Sequence, residues 1–420
     1  MKAWWLKYTQ LHGPGFYSPG SWPRAIFRNN TDESLISLTN HDDRLRELIR
    51  YNMHGVLTAA HEAGGCVPVV ADGDPAMFQD WIRIAYGRVL RERMGAKPHS
   101  GKKYRQYLLR RPKYARKGLY ERLHGELGFA RRAKIAHEVL LEMRKEFNQP
   151  ELKLLVGIPA PDSSGILTGM YFGGEPFLRL IADEWNVMLE ALPAEDVVYA
   201  VEEPIEQVLV AVLSLVGLGG WLARYYGRRL AKLVSLLPRA QQEEITIATH
   251  QCWGALHGST AIEAVFRAAF KPLTKIPLVG RFATGLANGL SRRIQNSRVI
   301  RRLTTALHDA AITEIHPNSR ARLVLMQLPL AEGTLPPPRQ RRCYHGLSGL
   351  REELRQIVLV GGLTHYAHED EYADEARLAA EAEMGGQFDA YGPYCGLGRE
   401  TEAHARAEVA QAIELGLRRG

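Results

Sequence analysis

The sequence predicts an α/β protein of the (β/α)8 TIM-barrel class, with a helical insertion and an elaborated amino-terminal region. Three observations carry that expectation. Eight short runs of β-branched and aliphatic residues alternate with longer stretches of helical pattern, as in a parallel sheet wrapped by helices. Most of the runs end in small or polar residues suited to tight turns and ligand loops. The chain of 420 residues, 45% of them hydrophobic, is long enough to bury one large core.

In chain order the expected strands are Ala3 to Thr9, Cys66 to Ala71, Lys153 to Ile158, Val197 to Val201, Glu244 to Thr249, Ala321 to Leu328, Gln356 to Gly362 and Gln387 to Tyr391. Strand-end loops read ADGDP after the second, GIPAPDSS after the third, VEEP after the fourth, HQCWG after the fifth, GGLTHYAHED after the seventh and GPYCGLGR after the eighth. In a barrel these ends share one rim, where active sites sit. Residues 1–420 read as a single barrel domain, with a basic helical excursion at 72–152 and a basic helical insertion at 261–318. There is no internal repeat, and Pro336 to Pro338 mark a stiff loop rather than a linker.

Charge and cysteine content narrow the function classes. The net charge of +8 is concentrated in Lys102 to Lys134 and in Lys271 to Arg302. The first cluster interleaves its charges with Leu and Tyr at spacings that suit solvated helix faces, and it follows no zinc-knuckle, helix-turn-helix or RNP pattern, so nucleic acid is not the expected partner. Four scattered cysteines (Cys66, Cys252, Cys343, Cys395) do not make a disulfide framework, and no charged-then-apolar leader opens the chain, which points to a reducing cytoplasm. The longest apolar run, Val208 to Ala223, is broken by Gly217, Gly219 and Gly220 and is shorter than the ~20 residues of a membrane span. It reads as buried loop and helix start, and no membrane is expected as a partner. Without GxGxxG, GxxxxGK[ST] or GxSxG, nucleotide binding and serine hydrolysis have no foothold.

The chemistry-bearing residues cluster at the strand ends. His250 and Cys252 stand two apart in TIATHQCWG, so at a strand end both side chains face the same way, a geometry that suits two ligands on one metal. Taken alone, the pair is also what a packed histidine and a small buried thiol look like. Cys395 lies in a second strand-end loop, YGPYCGLGRE, whose glycines let the backbone bend close to a ligand. Rim carboxylates follow several strands: Asp72 and Asp74, Asp162 beside Ser163, and Glu202 with Glu203. They can bind an amino group or work as acid and base, or simply cap the helices that follow.

HxC at one strand end and Cys-Gly-Leu at a later one resemble the catalytic barrel of the cobalamin-independent methionine synthases, in the superfamily that includes uroporphyrinogen decarboxylase. The resemblance covers roughly Glu151 to Leu417, and the first 150 residues match only through VVADGDPAMFQDWI. It implies zinc ligands at His250, Cys252 and Cys395, and a proton-handling histidine at His365, thirty residues before Cys395. The family's fourth ligand is a glutamate on the strand after HxC. Here that strand reads RLVLMQLP, and Gln327 near the expected place is a poor zinc ligand. Glu332, His365 or His368 could substitute, or water could take the position.

The resemblance therefore implies zinc-dependent methyl or alkyl transfer to a thiol such as homocysteine, with His365 protonating the leaving group and Asp162 or Glu203 holding a substrate ammonium. The methyl donor is open, since the chain has no room for the second barrel that helps the synthases bind folate. A corrinoid protein or a small methylated metabolite fits as well. Two alternatives stand beside it. One is a metal-free decarboxylase or lyase, for which Arg24 and Arg28 are the only early anion-binding candidates. The other is a non-catalytic barrel that binds a partner through its basic insertion, a stretch that could instead be a lid over the site or an added packing layer.

Overall fold

The computed structural model describes residues 1–18, 22, 42–72, 129–160, 175–202, 204–214, 217–241, 244–250, 255–256, 259–260, 297–309, 321–330, 341–366, 370–393, 397 and 401–418. The elements in order are α1 (Lys2–His12), α2 (Asp42–Glu62), β1 (Val69–Ala71), α3 (Phe129–Glu146), β2 (Lys153–Pro159), α4 (Glu175–Ala191), β3 (Val197–Glu202), α5 (Pro204–Ser214), α6 (Gly219–Ser235) and β4 (Thr246–His250). There follow the two-residue strands β5 (Ala255–Leu256) and β6 (Ser259–Thr260), then α7 (Ser297–Asp309), β7 (Arg322–Pro329), α8 (Leu350–Glu353), β8 (Val358–Thr364), α9 (Asp370–Met384), β9 (Ala390–Pro393) and α10 (Glu402–Leu417).

Seven strands form one sheet in the order β1-β2-β3-β4-β7-β8-β9, every neighbouring pair parallel, while β5 and β6 form a separate antiparallel pair. Strands that neighbour one another in sequence order, joined by helices, curl into a TIM-barrel-like arrangement. Both faces are buried. A large apolar cluster fills the space between sheet and helices, with Trp185, Tyr199 and Phe388 among its members. A second, smaller cluster lies inside the curl: Val69, Leu155, Val198, Ala200, Ala248, Leu325, Val358, Val360 and Ala390, joined by Trp5 and Tyr17. Two-sided burial explains why these strands read as continuous apolar runs.

The ladder is open between β1 and β9, and a short stretch before α2 spans the opening. Gly15 bridges Cys66 and Phe16 bridges Tyr391, both in parallel sense. Backbone bonds from Phe16 N to Cys66 O (2.8 Å), Cys66 N to Pro14 O (2.9 Å) and Tyr17 N to Tyr391 O (3.1 Å) hold it. The strand expected at Ala3 to Thr9 is not formed, because those residues lie in helix α1. Its aromatic residues favour strands in isolation, but Trp5 and Tyr8 are the two buried side chains and stand three apart, one helical face. Gly13, at φ +97°, ends the helix. Trp5 seats α1 against the inner cluster, with its indole N–H directed to Asp389 O at 3.4 Å.

The other seven expected strands are present with shifted ends. β9 begins at Ala390 rather than Gln387: Phe388 N–H donates to Glu381 Oε1 (3.0 Å), and Asp389 meets Leu359 of β8 with its N–H donating to Leu359 O (2.8 Å) and its carboxylate accepting from Leu359 N (2.9 Å). Of the basic stretches at 72–152 and 261–318, the described parts carry α3 and α7, and the rest lies outside the described residues. Among the described residues, no helix is long and apolar enough to cross a membrane.

Candidate functional site

The carboxyl ends of the strands converge on the rim where a barrel carries its chemistry. Strand alternation decides which side chains face inward. Ala248 belongs to the inner cluster, so His250, two residues on, points to the same side and is buried. On β7, Leu325 is an inner residue while Met326 and Leu328 belong to the outer cluster, which turns Gln327 inward. A bulge sets this arrangement. Ile247 pairs with Leu323 but Ala248 pairs with Leu325, so one extra residue on β7 brings Gln327, not Met326, into register with His250. Glu202 pairs with His250 on the other side, and Val360 with Gln327.

Gln327 is fully buried, and its Nε2 donates to the carbonyl of Pro393 on β9. β8 lies between these strands, two inter-strand steps of about 5 Å in a flat sheet, so the side chain reaches across the concave face where curling shortens the path. A carbonyl needs a donor, which fixes the amide's orientation and turns Oε1 the other way. Oε1 has no partner among the described residues, and neither does the Thr364 hydroxyl on β8, also fully buried. An unpaired buried acceptor costs about 1–3 kcal/mol, so both oxygens are open to a donor brought by a ligand or water.

His365 follows β8 directly and is 2% exposed. Its backbone N–H donates to Gln411 Oε1 (3.2 Å), the next N–H, of Tyr366, donates to Glu408 Oε1 (3.2 Å), and Gln411 Nε2 donates to Asp370 Oδ1 (3.0 Å). The His365 ring stacks on Tyr366 with centroids 4.5 Å apart, and Tyr366 stacks on His404 of α10 at 3.9 Å. α10 is itself started by Thr401, whose hydroxyl accepts from His404 N. The segment carrying His365 is thus pinned on two sides by α10. Along β8 it lies past the level shared by His250 and Gln327, whose β8 partner is Val360.

Asp72, just past β1, is buried beside Arg132 of α3. Burial lowers the pKa of that guanidinium to about 10, with the Asp72 carboxylate opposing the shift. The Asp72 carboxylate is thus near enough to favour the charged form of a buried guanidinium. Cys66 is a buried thiol that donates to Gly13 O at 3.1 Å, its pKa pushed up to about 12 by burial. It is a packing residue at the amino-terminal bridge.

Of the residues expected to act, the structure describes His250 and His365, both buried at the carboxyl ends of inner-ring strands. Cys252, Cys395, Glu332, Asp162 and Glu203 lie outside the described residues, as do Asp74, Ser163 and His368. Among the described residues, no three His, Cys, Asp or Glu side chains stand together as a metal cluster. The bond from Gln327 to Pro393 and the open Thr364 hydroxyl are features that sequence reasoning did not find. The signal for the first is a single polar residue inside an apolar strand, RLVLMQLP.

No family model matches the chain, and no curated protein matches it. Among solved structures, a B12-independent methionine synthase from Shewanella sp. W3-18-1, in complex with selenomethionine, is similar at a TM-score of 0.49 and 13% identity, covering 96% of each chain.

Proposed function

We propose that the mouth of this barrel is a small-molecule site for alkyl transfer to a thiol, of the methionine synthase type, with zinc held by His250, Cys252 and Cys395. One observation supports it above the others. Gln327 stands in register with His250, two residues before Cys252, and its amide holds Pro393, two residues before Cys395. The backbones that lead into the two rim thiols are thereby tied to one inward-facing side chain.

The donor types suit zinc, which takes imidazole nitrogen and thiolate sulfur in a site with one position left for substrate. Gln327 does not suit it, because a neutral amide committed to a carbonyl brings no charge to a cation, so Glu332 is the proposed fourth protein ligand when water does not fill that position. Zinc bound there would hold a substrate thiol as its thiolate at neutral pH. The protein's own groups do the rest. Asp162 or Glu203 binds the ammonium of an amino-acid thiol such as homocysteine. As the sulfur takes the methyl carbon and the bond to the donor breaks, His365 hands a proton to the departing group. Its ring is held for that task by the stack on Tyr366 and His404. The methyl donor is a folate, a corrinoid protein or a small methylated metabolite.

The test is the metal content of the purified protein beside a Cys252→Ser, Cys395→Ser double variant and His250→Ala. Near-stoichiometric zinc in the parent, lost in the variants while the circular dichroism spectrum persists, is the expected result. A parent without zinc after growth in added metal rejects the mechanism and leaves a lyase or binding role for the same mouth.

A further inference from the structure

The apolar run from Val208 to Ala223 plays no part in the proposed chemistry, and its place in the fold is unusual. Its described residues lie at the end of α5 and the start of α6, which pack on one another, and at this tip three of them are exposed: Val212 at 37%, Leu218 at 51% and Trp221 at 54%. From Trp221 onward the outward positions of α6 are Arg224, Arg228 and Lys232, spaced three to four apart on one stripe. No acidic residue occurs in the whole of α6. Trp221 lies flat along Tyr225, with centroids 6.0 Å apart and planes 17° apart. Neither Arg224 nor Arg228 makes an ion pair with a described residue; Arg228 only donates to Arg224 O at 3.4 Å. α7 packs on α6 and adds Arg302, whose guanidinium donates to Ser214 Oγ at 3.1 Å, beside the tip.

We propose that this tip and stripe form a docking surface for an anionic lipid bilayer. An indole and two aliphatic side chains at the end of a helix pair, followed by Arg224 and Arg228 on a helix whose own sequence holds no acid, have the composition of an interfacial anchor. The apolar groups enter the boundary between headgroups and acyl chains, and the cations meet the negative surface. Val212 and Leu218 decide against nucleic acid, since bases stack on aromatic rings and gain nothing from an exposed valine or leucine. The helices are too short and too charged to span, so the contact is peripheral.

The test is co-sedimentation of the full-length protein with vesicles of phosphatidylglycerol and phosphatidylcholine, and with vesicles of phosphatidylcholine alone. Each cation near such a surface is worth about five-fold in partitioning, so Arg224→Gln with Arg228→Gln should weaken binding to the anionic vesicles about thirty-fold. Trp221→Ala should weaken it as well, and the parent should bind phosphatidylcholine alone far less and lose binding as salt rises. All three side chains are exposed, so the variants should keep the parent's melting temperature. Failure of the parent to sediment, equal binding to both vesicle types, or variants that bind as the parent does would each overturn the proposal. So would retention of a single-stranded oligonucleotide in place of vesicles, which would assign the stripe to nucleic acid.

Discussion

Replacing Gln327 by glutamate changes one atom at the centre of the candidate site. In the parent, Nε2 donates to Pro393 O while Oε1 has no partner among the described residues. An ionised glutamate turns acceptor toward acceptor, so the side chain keeps the bond to Pro393 only by staying protonated. Its folded-state pKa is then raised above the unfolded value of about 4.3. A carboxyl with a raised folded pKa costs nothing below pH 4.3, and the cost grows by ~1.36 kcal/mol per pH unit above it until the folded pKa is reached. At pH 5 that is about 1 kcal/mol, and at pH 7 it reaches at most ~3.7 kcal/mol. If the group ionises earlier, the loss stops at the cost of the broken bond and a buried charge, still about 2 kcal/mol or more. The assay is the urea midpoint of parent and variant at both pH values in chelator. A variant as stable as the parent at pH 7, or one equally destabilised at pH 5 and pH 7, refutes the placement of the Pro393 carbonyl on this side chain. Zinc gives a second readout, because a cation held by His250 would offer the new carboxylate a partner and return part of the loss at pH 7.

Asp196 accepts from Arg144 at 2.6 Å and His137 at 2.8 Å. Burial pushes its pKa up, but the hydrogen bonds from Arg144 and His137, with the Arg144 charge, outweigh burial and hold it below the ordinary carboxylate value. Its stabilising effect is therefore present above the unfolded pKa of about 3.9 and lost as pH falls through the lower folded value, so Asp196→Asn should cost on the order of 1 kcal/mol at pH 6 and much less below pH 3. A difference in urea midpoints that does not narrow with acid would contradict this. A methyl group at Gly392 would sit 2.0 Å from Tyr17 O, backbone against backbone at the seam between β9 and the amino-terminal bridge. Gly392→Ala should cost about 3 kcal/mol or prevent folding, whereas Gly385→Ala, at φ +82° in open space, should cost only ~1–2 kcal/mol in thermal unfolding. Cys66, with its pKa raised to about 12 by burial, should resist iodoacetamide at pH 8 until the chain unfolds, as peptide mapping would show; rapid labelling of the native protein would place it elsewhere.

Strands buried on both faces wrote themselves plainly into the sequence. Lys153 to Ile158 and Gln356 to Gly362 lie almost where β2 and β8 do, because past the polar residues that open each run both faces are buried. At the amino terminus the same reasoning failed. WWLKY has the aromatic content of a strand, and only its docking beneath the barrel makes it a helix; the element that spans the opening, Gly15 and Phe16, is two residues long and has no periodicity to read. The candidate site divides in the same way. His250 was legible because a histidine at the end of an apolar strand has few places to go but the rim. The role of Gln327 was not, since two tertiary facts set it: a bulge on β7 that no residue pattern announces, and a partner sixty-six residues away. A fully buried amide in a strand of aliphatic neighbours carries a desolvation cost at both ends, and among the described residues only one end is offset by a bond. That imbalance is the physical reason to look for a donor-bearing molecule in the barrel mouth, and it stands whether or not zinc is the ion that brings it there.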